Sequence, residues 1–203
     1  KIAMFCNVEP GNVFVSPDMA SIYMLPLEFH RQGLDERLAE MMNIWTHGAR
    51  LDKWEAIVEK AMRPSKGEVK IGIVGKYVDL KEAYKSLNES LLHGGIANDV
   101  KVTLKYVDSQ DVETQGPQAL LSDCHAVLVP GGFGVRGTEG KIAAVKYARE
   151  KKVPFFGICL GLQMAVIEYA RHVVGLSQAN SLEFDEKTPD PVVCLMESQL
   201  NVK

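Results

Sequence analysis

The residue best suited to chemistry in this sequence is Cys159, at the centre of a GICLG segment that we call the cysteine turn, residues 157–161. An apolar run at 153–158 precedes it and a helical pattern follows, which together predict a strand, a sharp turn and a helix. A turn this sharp crowds its neighbours, which accounts for the flanking glycines. It places the sulfur at the carboxyl edge of a sheet, where the helix N-terminus favours the thiolate. Cys159 is therefore predicted to be a nucleophile, with the Leu160 amide facing an oxyanion.

A second glycine-bearing segment, PGGFG at 130–134, follows another apolar run at 126–129. In this segment, the glycine loop, backbone amides can approach a ligand closely, and Gly132 is the predicted second oxyanion donor. Taken singly, the loop is more simply an ordinary tight turn, and Cys159 is equally well a buried structural residue. Two adjacent strand ends that converge on one point favour the functional interpretation. No Gly-Lys-Ser/Thr follows the glycines, so the loop is not a P-loop.

The residues that follow the glycine loop have simple alternatives. Thr138 has the position of a helix N-cap. Arg136 stands between glycines, where it is either an anion ligand or a solvated surface charge.

A cysteine hydrolase needs a base that activates the thiol and protonates the leaving amine. Five histidines are available, and we expect each to be structural or exposed, at positions 30, 47, 93, 125 and 172. The sequence therefore offers no credible base.

The elements that would position these segments form a regular alternation. Strands are predicted at 69–74, 101–107, 126–129 and 153–158, and helices at 83–93, at 138–150 and from the cysteine turn to about 172. Wholly apolar strands that alternate with helices predict an α/β fold, a mostly parallel sheet with helices on both faces. Such sheets bind ligands at the carboxyl ends of their strands.

The first third of the chain is different in character. A buried strand is predicted at 1–8 and helices at 34–42 and 54–62, but the block at 1–43 is too short to bury a core alone. The RPSKG segment at 63–67 has the composition of a linker. We therefore predict three parts: residues 1–43, an interdomain helix and linker at 44–68, and an α/β domain at 69–203.

Composition excludes several classes of protein. The chain has 203 residues, 46% hydrophobic and 24% charged, with a formal net charge of −3 and a sequence pI near 6.0. This balance gives no case for nucleic acid as a partner, and no apolar run is long enough to cross a membrane. Four scattered cysteines without CxxC spacing argue against a zinc ribbon and fit free thiols in the reducing cytoplasm. Because the first residue, Lys1, stands within an apolar run without an initiator Met, we expect the chain to start inside a longer protein.

PGGFGVRGTEG at 130–140 and GICLGLQ at 157–163 closely resemble the CTP synthase family. Further matches lie at 1–8, 21–23, 32–35, 75–77, 108–111, 179–184 and 191–193, so the resemblance covers essentially the whole chain. The glutamine-site motifs alone indicate only a class I amidotransferase, and the flanking matches narrow this to CTP synthase. The resemblance implies a flavodoxin-like amidotransferase domain, preceded by the end of a P-loop-type synthetase domain.

The resemblance also implies an activity, a ligase that aminates UTP to CTP with ATP and with ammonia freed from glutamine through a Cys thioester. It implies ATP and Mg²⁺, held mainly by synthetase residues outside this chain, GTP as an allosteric activator, and a homotetramer.

By the same resemblance, Cys159 is the nucleophile, and glutamine is held by Gly132, Leu160, Gly161, Leu162, Gln163 and Glu183, the last facing its α-amino group. GTP activation is assigned to Phe133, Arg136 and Glu139, a UTP contact to Lys1, and the ATP adenine to Pro17, Asp18 and Met19. No metal ligand is expected among the residues present.

The sequence departs from the family's pattern at its end. The family's base lies in a His-x-Glu motif downstream of an Arg that grips the glutamine carboxylate, and the chain stops at Lys203 before either. We therefore expect it to turn over glutamine very poorly by itself. Two alternatives remain: a stand-alone Cys hydrolase such as a peptidase, which needs a histidine beside Cys159, and a non-catalytic module.

Overall fold

The computed structural model describes residues 1–76 and 84–196. The chain divides into two compact units, the first made of Lys1–Gly67 and His93–Lys101 and the second of Glu68–Leu92 and Val102–Lys203.

The first unit is helical and has almost no interior. Its helices are α1 (Ile2–Cys6), α2 (Leu25–Arg31), α3 (Leu34–Met41) and α4 (Asp52–Met62), with 3₁₀ turns at Pro10–Asn12 and Ile22–Met24. In this unit, whose residues are all described, Gly95 is the only buried residue. This agrees with the expectation that the N-terminal block is too short to bury a core.

The predicted strand at 1–8 is wrong, because this segment forms the short helix α1. An apolar run becomes a strand only where another strand satisfies its backbone groups, and no strand forms in residues 1–67, all of which are described. The segment instead bonds to itself, with the Phe5 N–H donating to the Lys1 carbonyl at 3.0 Å. The helices predicted at 34–42 and 54–62 are confirmed as α3 and α4.

The second unit is built on a four-stranded sheet of β1 (Glu68–Gly75), β2 (Lys101–Asp108), β3 (Ala126–Val129) and β4 (Phe155–Gly157). The strand order is β2-β1-β3-β4, and β3 pairs in parallel with both β1 and β4. This is the order at the start of a flavodoxin-like sheet. The short parallel pair β5 (Asn180–Ser181) and β6 (Pro191–Val193) forms a second sheet.

The helices of this sheet begin with α5 (Lys85–Asn98), and the predicted start at residue 83 lies outside the described residues. They continue with α6 (Ser109–Gln115), α7 (Pro117–Leu121), α8 (Thr138–Lys151) and α9 (Leu160–Tyr169), the last prolonged by a π-helical turn at Ala170–Val174. The four predicted strands are confirmed, with β4 shorter than expected, and α6 and α7 were not predicted.

Both faces of the sheet are covered, as the apolar strands predict. Val127 and Val129 pack into the cluster beneath α6–α8, which includes Leu121. On the other face Leu128 is 2% exposed. It lines a small cavity that Leu91 of α5 also borders. The predicted α/β class is confirmed.

Helices α8 and α9 are held together by an apolar cluster and an ion pair. The cluster joins Ile142 and Val145 to Leu160, Met164 and Ile167. The packing fixes the helix that follows Cys159.

The ion pair lies at the far end of the same two helices. The Arg149 guanidinium donates to Glu168 at 2.8 Å, and this carboxylate is 1% exposed.

No helix in the described ranges is long and apolar enough to span a bilayer.

Candidate active site

Cys159 occupies a strained backbone position between β4 and α9. Its φ of 53° and ψ of −108° are unfavourable for a residue with a Cβ atom, and its side chain is exposed. Such outliers persist only where the surrounding fold imposes them. The predicted exposure is confirmed, and the alternative of a buried structural cysteine is excluded.

The glycines of the cysteine turn are required by close backbone packing. A Cβ at Gly157 would lie 2.5 Å from the carbonyl carbon and oxygen of Gly161. One at Gly161 would overlap the carbonyl oxygen of Val129 in β3. The helix after Cys159 therefore runs directly against the neighbouring strand, which forces the sharp turn.

The glycine loop lies beside this turn. A Cβ placed on Gly131 would be 3.5 Å from the Cβ of Cys159, and one on Gly132 would be 3.7 Å from Leu160 Cδ2. The predicted convergence of two strand ends is confirmed. Within the described residues neither the Gly132 nor the Leu160 N–H donates a hydrogen bond, so both amides are available to a ligand.

The glycine loop is held from two sides. The Lys76 ammonium donates to the carbonyls of Phe133 and Gly134, the latter at 2.7 Å. The Gly134 N–H donates to Glu183 Oε1 at 3.2 Å. Burial lowers the pKa of Lys76, and the charge of Arg136 lowers it further, against the opposing effect of Glu183.

A cavity of about 660 Å³ is lined by two residues that the resemblance assigned to glutamine, Gln163 and Glu183. Gln163 lies in α9, one turn after Cys159, and Glu183 contacts the glycine loop at Gly134. The Gln163 side-chain oxygen is buried and has no hydrogen-bond partner among the described residues, so it can accept one from a ligand. The other lining residues are Ser181, Leu182, Pro191, Val193, Cys194 and Leu195. Cys194 and Leu195 were not predicted, although the neighbouring run at 191–193 matched the family.

The remaining residues assigned to glutamine differ in what they can offer. Leu160 and Gly161 are buried, so only their backbone atoms can face a ligand, whereas the Leu162 side chain is 60% exposed.

The residues assigned to nucleotides are scattered over both units. In the second unit Phe133 is 83% exposed, Arg136 donates to the Lys76 carbonyl at 3.3 Å, and Glu139 is paired with Arg171. In the first unit Lys1, Pro17 and Asp18 are exposed and Met19 is half-buried. Their roles stay predictions.

The prediction that Thr138 is an N-cap is wrong. Gly137 takes that position with a φ of 72°, and Thr138 is the first residue of α8. Its hydroxyl instead donates to the Val135 carbonyl at 2.8 Å. The hydroxyl thus closes the turn that leads into α8.

A buried cation lies in the first turn of α8, directly after the glycine loop. Lys141 is 2% exposed. Burial lowers its pKa to about 8, with a further contribution from Lys76 and an opposing one from Asp108. The loop is thus backed by a charged group in an unfavourable environment.

The two histidines of the second unit lie away from Cys159. His125 precedes β3 and bonds the Lys70 backbone, at the opposite edge of the sheet from Cys159. His172 lies in the π-helical turn, with Nδ1 3.1 Å from the Glu168 carbonyl, about 20 Å along the helix from its start. Neither of these two histidines is placed to act as a base for Cys159, so the second unit gives no support for a stand-alone hydrolase.

The chain belongs to the glutamine amidotransferase class-I family, whose model matches residues 79–191. A second family model, described as CTP synthase N-terminus, matches residues 1–44.

The resemblance to CTP synthase is confirmed by curated relatives. The chain is 58% identical to CTP synthase of Geobacter metallireducens over its full length, and 56% identical to that of Syntrophus aciditrophicus. It spans 38% of the length of each.

A solved structure supports the fold. The glutaminase domain of Trypanosoma brucei CTPS with bound acivicin is 43% identical, with a TM-score of 0.62. The match covers 66% of this chain and 52% of that one.

Proposed function

We propose that this chain is the part of a CTP synthase that holds glutamine and cleaves its side-chain amide, with Cys159 as the nucleophile. The observation that carries the proposal is the strained, exposed Cys159 at the start of α9, with the glycine loop beside it. The cavity that contains Gln163 and Glu183 supplies a substrate pocket next to it.

The proposed reaction passes through a thioester. The Cys159 thiolate attacks the amide carbon, and the N–H groups of Gly132 and Leu160 donate to the oxygen that becomes negative. The C–N bond then breaks, ammonia leaves with an added proton, and a glutamyl thioester remains. Water hydrolyses the thioester to glutamate and restores the thiolate.

The proton transfers need a group that the described residues of the second unit do not place at the site. Both histidines of the second unit lie elsewhere. We therefore assign the proton transfers to the His-x-Glu motif that the family carries downstream. The chain alone should release ammonia very slowly.

The nucleotide chemistry is proposed for the whole enzyme and not for this chain by itself. As the family resemblance implies, we extend the proposal to UTP, ATP with Mg²⁺, GTP activation, a homotetramer and a cytoplasmic setting. The chain itself spans 38% of the length of its curated relatives. Among the described residues no group of three or more His, Cys, Asp or Glu side chains is placed to hold a metal ion. As the family resemblance implies, we assign Mg²⁺ binding mainly to synthetase residues outside this chain. The exposure of Phe133 and of Arg136, three residues further along the chain, supports a nucleotide contact at the glycine loop.

The proposal is tested with a chloroketone analogue of glutamine, whose chloride a thiolate displaces. We expect saturable alkylation of Cys159, competed by glutamine and located by peptide mass spectrometry. Iodoacetamide, which has no amino-acid group to bind, should modify the same thiol without saturation.

Two variants complete this test. Cys159→Ser should abolish the saturable labelling. Cys194→Ser, which changes the other thiol lining the cavity, should preserve it. Labelling by the analogue that never saturates, or that falls on Cys194, would overturn the glutaminase assignment. Ammonia release at an ordinary enzymatic rate would contradict the need for a downstream base.

A further inference from the structure

Arg171 connects two elements of the candidate active site that are distant in sequence. It lies in the π-helical turn that ends the nucleophile's helix, and its side chain is 16% exposed. Its Nε donates to the Ala179 carbonyl at 2.7 Å. One terminal nitrogen donates to both Glu139 oxygens, at 3.0 and 2.9 Å.

The two acceptors lie on the chain segments that carry the glycine loop and Glu183, which we call the two walls of the proposed glutamine pocket. Glu139 is in the first turn of α8, which follows the glycine loop without an intervening element. Ala179 directly precedes β5, and Glu183 follows β5 by two residues. Arg171 therefore joins the wall that carries the oxyanion donor to the wall that carries Glu183.

A second tie between these walls is the bond from the Gly134 N–H to Glu183. If Glu183 faces the α-amino group of glutamine, that bond must share its carboxylate with the substrate. The Arg171 contacts involve neither Glu183 nor the reacting atoms, so they persist when the substrate binds. The π-helical geometry is also in keeping with this role, because single π turns within helices are frequent at functional sites.

We propose that Arg171 is a positioning residue for glutamine, which keeps the Glu183 wall in register with the glycine loop. The inference rests on the proposed function, since it assumes that glutamine occupies this pocket. Its consequence is specific: the loss of Arg171 should weaken recognition of the amino acid and leave the intrinsic reactivity of the Cys159 thiol unchanged.

The test measures Cys159 alkylation in the 203-residue chain by the chloroketone analogue and, in parallel, by iodoacetamide. For Arg171→Ala we expect the half-saturating analogue concentration to rise roughly tenfold, the effect of losing charge-assisted hydrogen bonds. The iodoacetamide rate should stay within about twofold of wild type, a change too small to indicate a different thiol environment. Arg171→Lys keeps the charge but not the fork geometry, and should be intermediate.

Two further variants separate positioning from general destabilisation. Arg149→Ala is the matched control, because it removes another arginine ion pair, between α8 and α9, at the opposite end of α8 from Glu139. It should lower the unfolding midpoint without changing the half-saturating concentration. Glu139→Gln keeps Arg171 in place and weakens one of its contacts, so it should also raise the half-saturating analogue concentration. This variant tests the inference even if Arg171→Ala does not fold.

Each outcome decides between the two proposals. If wild type labels saturably and the Arg171 and Glu139 variants keep its half-saturating concentration, the positioning role is excluded and the glutaminase assignment stands. If Arg149→Ala weakens saturation as much as Arg171→Ala, the effect is only structural and the inference is likewise excluded. If wild type reacts with iodoacetamide and never saturates with the analogue, the proposed function fails first, and this inference with it.

Discussion

The cysteine turn and the glycine loop both place glycines at a strand end, but for different physical reasons. In the cysteine turn, added Cβ atoms at Gly157 and Gly161 would meet backbone atoms of Gly161 and Val129. In the glycine loop, added Cβ atoms at Gly131 and Gly132 would meet only side chains or backbone at 3.5 Å or more. The fold therefore requires glycine at Gly157 and Gly161 and tolerates a methyl group at Gly131 and Gly132.

This difference separates structural glycines from candidate ligand-binding ones. Close packing against β3 explains the cysteine turn completely, and the strained Cys159 is its product. Packing does not explain Gly132, because it has room for a Cβ and no left-handed φ. The space beside it is then best explained by a ligand that approaches the backbone, which is the role proposed for the oxyanion donor.

The largest effect is expected for Gly161→Ala in the cysteine turn. The added methyl group would overlap the Val129 carbonyl, so α9 must move away from β3. We expect a loss of about 3 kcal/mol or more in the free energy of unfolding. Urea unfolding followed by circular dichroism measures it, with Gly132→Ala as the matched comparator. Equal midpoints for Gly161→Ala and wild type would show that the two regions do not differ as described.

A smaller effect is expected behind the glycine loop, for Lys141→Met. At neutral pH the lysine is charged in both states, so the folded state bears the full cost of burying the cation. The variant should be more stable than wild type by about 1 to 2 kcal/mol. Met keeps most of the side-chain volume, which limits any packing loss.

The pH dependence of this difference has a definite sign. The folded pKa is about 8 and the ordinary value 10.5, so between these values the unfolded state binds more protons. Wild-type stability should therefore rise with pH across this window relative to the variant, and the difference should shrink. Urea midpoints of both proteins at about pH 7 and about pH 10 test it. A constant difference in stability between the two proteins would mean that Lys141 of the folded state keeps its proton throughout this pH window.

Local sequence patterns predicted the cysteine turn, whereas the features that were predicted wrongly depend on tertiary contacts. The turn follows from glycine spacing and a buried strand, both visible within a few residues. The segment at 1–8 looked equally strand-like, but none of residues 1–67, all of which are described, forms a strand that could pair with it. Likewise Gly137, not Thr138, caps α8, because the loop packs so closely on Ser109 that a Cβ at Gly137 would overlap its hydroxyl.

The long-range contacts around the proposed glutamine site could not be predicted from the sequence either. Gly134 meets Glu183 across 49 residues, and Arg171 meets Glu139 across 32. No spacing rule joins such positions. The family resemblance therefore pointed to Gln163 and Glu183, which line the cavity, but the sequence did not predict the hydrogen bonds that connect the surrounding segments.

The smallest effect on stability, and the sharpest test of the comparison, is expected for Gly132→Ala. Its Cβ would lie 3.7 Å from Leu160 Cδ2, an ordinary contact, so the free energy of unfolding should change by less than about 0.5 kcal/mol. Saturable alkylation of Cys159 by the chloroketone analogue should nevertheless fall at least about tenfold, because the methyl group occupies space needed for the approach to an oxyanion donor. The iodoacetamide rate is the internal control and should not change. A variant that is both fully stable and labelled like wild type would place the glutamine carbonyl elsewhere and leave Gly132 without a ligand-binding role.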